Sequence, residues 1–157
     1  MPRLDDTDDS EDDRDRKWLD RLLAPDGNSR RGICLASTAA LDALLTELLE
    51  TEARKRREAR RKFIERQWNS LTFADKITAA QSLGLINELE TNKCNTFRLV
   101  RNRFAHDAAV TFYDPYVIKK VSILRDRRLH GSSADAFFMF YSSICDLILT
   151  LKNGLRE

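Results

Sequence analysis

From Ser29 onward the chain repeats its apolar residues at intervals of three and four, and that spacing admits little besides packed helices. Ile33, Ala36, Ala40, Leu41, Leu44, Leu45 and Leu48 lie along one stripe of a helix that opens near Ser29. Ala134, Phe137, Phe138, Tyr141, Ile144, Cys145, Ile148 and Leu151 keep the same period for about five turns at 3.6 residues each. Ser132 with Asp135 is placed to cap that last helix.

Between these two helices the stop and start signals divide the chain into shorter ones. Thr72, with Asp75 three positions on, reads as the start of a helix through Phe73, Ile77, Ala80 and Leu83, and Gly84 stops it. A further helix begins near Asn87 and ends just after His106. Asp114 followed by Pro115 opens a short segment through Ile118, Val121 and Leu124. The longest alternating stretch is AVTFY, too short to argue for a sheet. The expected fold is all-α, a bundle of four or more principal helices.

Charge divides the chain unevenly. Residues 1 to 16 carry eight acids and three bases, about −5, so the rest stands near +7 within a total of +2. The acidic tail, 1–16, is too polar and self-repelling to order itself and is expected to be disordered. Residues 17–157 then form one domain, since 157 residues with 42% apolar content supply one ordinary core. Trp18, Leu19, Leu22 and Leu23 make a short amphipathic entry that Pro25 and Gly27 end. Near 50–66 the first long helix continues as a basic extension, with eight bases against two acids from Arg54 to Arg66. Arg56, Arg57, Arg60 and Arg61 in it suit a phosphate backbone, or serve as solvated charge on an exposed face.

Several function classes lose their footing. The separate apolar runs, such as ALDALL and DAFFMFY, are short of the roughly 20 residues a membrane span needs, and no apolar leader follows the start, so a cytoplasmic protein is expected. Cys34, Cys94 and Cys145 are widely spaced and odd in number, which fits reduced, buried thiols better than a disulfide frame or a zinc site. No glycine-rich phosphate loop and no HExxH is present, so neither a metal nor a cofactor is expected.

One segment stands out for its chemistry: RNRFAH, Arg101 to His106. At about 100° per residue, Leu89, Phe97, Val100 and Phe104 fall on one apolar arc, and Arg98, Arg101, Asn102 and His106 on the other. Asn102 and His106 stack on one face, four residues apart, whereas Arg101 lies roughly 140° around from His106. An imidazole exchanges protons near neutral pH, and a guanidinium holds phosphate without losing its charge. Arg101, Asn102 and His106 could therefore serve phosphodiester cleavage without a metal, with Arg98 and Arg103 as further phosphate contacts. His130 sits in a turn and is not placed in the site. A single histidine is a thin supply for two proton transfers, so two copies joined across a two-fold axis are expected. The alternative is structural: a histidine in a helix's last turn is favoured by the macrodipole and caps the final carbonyls, with Asp107 placed to hold it.

RNRFAHD resembles the Arg-polar-x-x-x-His signature of the HEPN superfamily, four-helix proteins among which many are metal-independent ribonucleases. The wider chain resembles the mannitol operon repressor family through CLASTAALDALLTELL, LTFADKITAAQSLGLI, RLVRNRFAHD and the FYDPYVIKKV helix start, roughly Arg30 to Leu124. The resemblance implies a HEPN-like, mannitol-repressor-like bundle, a homodimer, and Arg101, Asn102 and His106 as the functional set. It leaves two functions open. One is an endoribonuclease of the toxin or defence kind, acting on RNA and held by an antitoxin partner. The other is a transcriptional regulator or interaction module without turnover. No helix-turn-helix is recognisable, so such regulation would run through a protein partner or RNA rather than direct DNA reading.

Overall fold

The computed structural model describes residue 14, residues 29–55, 70–126 and 135–155. The remainder of the acidic tail, the amphipathic entry at Trp18 to Leu23, the arginines Arg56, Arg57, Arg60 and Arg61, His130 and Ser132 lie outside the described residues. Those that are described form five α-helices and no strand: α1 (Arg30–Arg54), α2 (Phe73–Ser82), α3 (Glu88–His106), α4 (Pro115–Val121) and α5 (Ala136–Gly154). A 3-10 turn (Ser122–Leu124) follows α4.

Each helix starts where the sequence offers an oxygen to its first N–H groups. The Ser29 side chain accepts from Gly32 N, and Thr72 with Asp75, like Asn87 with Glu90, forms a reciprocal capping box. The Asp114 carboxylate accepts from the Tyr116 and Val117 N–H groups, with Pro115 in the first turn, where its missing N–H costs nothing. In α5 the cap is Asp135 itself, which accepts from Phe138 N at 2.7 Å; the helix proper begins at Ala136. α2 ends on Gly84 at φ +72, the left-handed region that glycine enters without strain. Its N–H donates to the Gln81 carbonyl and that of Leu85 to Ala80, which closes the helix end.

α1 is the hub, packed against α2, α3 and α5. Its buried band is broader than a single stripe, because Cys34, Ser37, Thr38 and Leu49 join Leu41, Leu44, Leu45 and Leu48 inside, while Ala36 and Ala40 are only partly covered. Ser37 and Thr38 are tolerated there because their hydroxyls donate to carbonyls of their own helix, at Ile33 and Cys34. By length and composition α1 would also pass as a membrane span, which the separate apolar runs concealed; half of its most apolar window is buried inside the bundle.

The periodic reading places three residues wrongly. Leu89 on α3 is 65% exposed, Ile118 on α4 is largely exposed, and Phe138 on α5 points outward. Their interior places are taken by Cys94 and Thr91, by Val117, and by Met139 with Phe140. Each helix meets more than one neighbour, so the buried arc is turned from the one a simple stripe defines.

AVTFY is an irregular plug. Val110 and Phe112 are buried and Tyr113 is exposed, an alternation made without any strand partner. The Phe112 ring lies 4.8 Å from that of Phe104 on α3, and 5.2 and 5.5 Å from Phe137 and Phe140 on α5. It thereby fixes the C-terminal end of α3 against α5, and with it the segment that carries RNRFAH.

Candidate functional site

The end of α3 is held by a residue the sequence does not single out. Arg31, in the first turn of α1, donates through its guanidinium to the carbonyls of Phe104, Asp107 and Ala108, the latter two at 3.2 Å each. These are carbonyls that the helix itself leaves unsatisfied or that follow its end, and a guanidinium fork is suited to gather them. Asp107 is also engaged elsewhere. Its carboxylate accepts from Ala109 N at 2.9 Å and lies 3.9 Å from Arg103.

His106 is thereby released from the capping role. It is exposed, and its side chain makes no hydrogen bond or ion pair among the described residues. Of the structural alternative for this histidine, the place in the last turn that the macrodipole favours holds, but the capping does not: Arg31 caps the helix and the Asp107 carboxylate turns to its own loop.

Arg103 has a positioning part. Its guanidinium lies 3.6 Å from the Asp114 carboxylate, the same group that caps α4, and 6.0 Å from the Tyr116 ring centre. It ties the end of α3 to the start of α4. Tyr116 also receives the Lys120 ammonium at 5.5 Å.

Two hollows open on either side of Asn102. The first is a groove of about 560 Å³ where α1, α2 and α3 meet, lined by Thr38, Asp42, Thr72 to Ala74, Arg98, Arg101 and Asn102. Arg101 donates to the Asn102 side-chain oxygen at 3.2 Å. Asp42, the one acid on the wall, is joined to Lys76 at 2.7 Å. Beneath the wall, burial pushes the Cys34 thiol up to about 12, with the charges of Arg101 and Arg31 pulling the other way. The second hollow is a shallow surface of about 530 Å³ lined by Leu99, Asn102, Arg103, His106 and Tyr116.

The structure thus gathers Arg98, Arg101 and Asn102 in one place, and Asn102, Arg103 and His106 in another. Asn102 alone lines both. Within one chain, Arg101 and His106 face different hollows, as their angular separation on the helix requires. Among the described residues no three His, Cys, Asp or Glu side chains converge as a metal centre would need. Sequence reasoning missed Arg31 and Tyr116. Tyr116 carries a local signal, since it follows Asp-Pro and so stands in the first turn of α4 beside the end of α3; Arg31 carries none.

The class of protein these features define is an all-α bundle with a basic groove and an unengaged histidine at one helix end. Comparisons with protein-family models, with curated proteins and with solved structures found no match.

Proposed function

We propose that this chain is one half of a dimeric, metal-independent endoribonuclease of the HEPN type, working in the cytoplasm as a toxin or defence component. The observation that carries the reading is the state of His106: exposed, unengaged, and sharing Asn102 with a groove that holds two arginines. In the reaction a base removes the 2′-hydroxyl proton, the 2′-oxygen bonds to phosphorus, the bond from phosphorus to the 5′-oxygen breaks, and an acid protonates that oxygen. Arg101 neutralises the charge that builds on the phosphorane. Asn102 orients the phosphate. One imidazole cannot stand on both sides of the phosphorus, so a two-fold axis beside α3 supplies the second His106 and brings the Arg101 of one protomer toward the His106 of its partner.

Incubation of the purified protein with RNA in the presence of a chelator tests this. Cleavage that His106→Ala abolishes is the expected result. Intact RNA with a folded dimer overturns the nuclease, and sedimentation as a monomer at micromolar concentration overturns the shared site.

A second reading is favoured by a different surface. Phe112, Tyr113, Ile118, Phe137 and Met139 line an open, largely apolar hollow of about 450 Å³, and Tyr113 is 73% exposed there. Tyr113 and Ile118, exposed over a floor of buried Phe112 and Met139, suit a protein partner, either an antitoxin or a component of a mannitol-repressor-like regulator without turnover.

A further inference from the structure

The groove between α1, α2 and α3 has more phosphate-binding apparatus than one catalytic arginine needs. Arg98 and Arg101 stand three residues apart on α3, neighbours of like charge that repel each other on a bare helix. The acid on the groove wall, Asp42, is already joined to Lys76, so neither guanidinium is neutralised by a lining residue. Arg98 Nε is buried and has no hydrogen-bond partner. A buried N–H of a charged group without an acceptor is costly, and Arg98 as a whole is only partly exposed, so its guanidinium is held at the groove wall at some cost to the fold.

The opposite wall is the start of α2. Thr72 caps the Asp75 N–H, and Asp75 in turn accepts from the Thr72 N–H and hydroxyl. The N–H groups of Phe73 and Ala74 are the ones in that first turn without an intrahelical acceptor, and both residues line the groove. Two guanidinium groups thus face a helix N-terminus across a cavity of about 560 Å³, within the range of small-ligand pockets.

We infer that this groove is a phosphate subsite for a strand of RNA, holding a backbone phosphate adjacent to the one at His106. It rests on the nuclease reading for the identity of the strand. Arg98 is the positioning residue: its terminal guanidinium nitrogens grip the phosphate from α3, the Phe73 and Ala74 N–H groups grip it from α2, and the strand crosses Asn102 toward the hollow of His106 and Tyr116, which leaves Arg101 to the phosphate that reacts. Tyr116 lies where the next base would stack.

The test is an NMR titration of the full chain, with inorganic phosphate in one arm and a six-residue oligouridylate in the other. Phosphate is expected to shift the backbone amides of Phe73 and Ala74, and the oligonucleotide to shift these together with Asn102 and His106. Arg98→Met, which keeps the aliphatic stem, should weaken both ligands about tenfold or more. In phosphate-free buffer its melting temperature should hold or rise, since the unpaired buried nitrogen is gone; Arg98→Lys, which keeps charge but not the fork, should bind between the two. A fall in melting temperature in Arg98→Met with unchanged phosphate affinity would assign Arg98 a structural role and overturn the subsite. Phosphate binding without oligouridylate binding would also overturn it, in favour of a small anion. The two readings separate cleanly. Phosphate and oligonucleotide held in the groove by a chain that leaves RNA intact uphold the subsite and overturn the nuclease. RNA cut as well by Arg98→Met as by the unaltered chain, at subsaturating RNA, upholds the nuclease and overturns the subsite.

Discussion

The two sides of Asn102 are built on opposite principles. Toward α1 and α2 the groove is walled by three helices, and its two arginines are not neutralised by the acid that lines it. Toward α4 the hollow is shallow, its arginine is paired with Asp107 and Asp114, and its histidine has no partner among the described residues. The first side gathers two guanidinium groups beside a helix N-terminus, and the second fixes its arginine between two carboxylates while leaving the His106 side chain exposed. The two sides lie on different faces of one helix, so the arginines of the groove and the histidine of the hollow stay apart within one chain.

The largest expected effect comes from removing what holds both sides in register. Phe112→Ala deletes a ring that contacts Phe104, Phe137 and Phe140, and should cost about 3–5 kcal/mol in urea unfolding, as large core truncations do. Retention of full stability would mean that the end of α3 is fixed by other contacts.

Next in size is the contrast between two residues at that helix end. Arg31→Ala strips donors from three carbonyls and should cost about 1–3 kcal/mol. His106→Ala, at an exposed position without partners, should stay within about 0.5 kcal/mol of the unaltered chain. Equal losses in chemical denaturation would return the capping role to His106.

A smaller effect belongs to the groove's far wall. Thr72→Ala removes the cap of α2 and should cost about 1 kcal/mol. The smallest is a matter of pH. Hydrogen bonds from the Thr72 hydroxyl and N–H hold the Asp75 carboxyl below the usual carboxylate range. A group with a lowered folded-state value stabilises the fold above its unfolded value, and that contribution fades as pH falls through the folded one. Asp75→Asn should therefore flatten the acid limb of the stability profile and leave neutral pH with only the change in capping. An unaltered acid limb would show that the capping box does not persist in solution.

Much of the fold is legible along the chain. Ser29, Thr72, Asn87 and Asp114 cap the helices that the spacing assigns to them, and Gly84 stops α2, because caps and stops act between residues three or four apart. Leu89, Ile118 and Phe138 were less legible, since which arc of a helix is buried depends on how many helices surround it. The site divides in the same way. Arg101, Asn102 and His106 are conspicuous as a local pattern, and their angular separation follows from helix geometry alone. The basic residues Arg56, Arg57, Arg60 and Arg61 lie outside the described residues.

By itself the sequence determined that the chain is helical, where its described helices begin, and that Arg101 and His106 cannot face the same way, because each of these follows from short-range periodicity. Only the tertiary structure decided that Arg31 reaches 76 residues along the chain to cap α3, that His106 is thereby left unengaged, and that Arg98 and Arg101 confront the start of α2. Those relations depend on which helices become neighbours, and burial of a shared core, not local spacing, selects the neighbours.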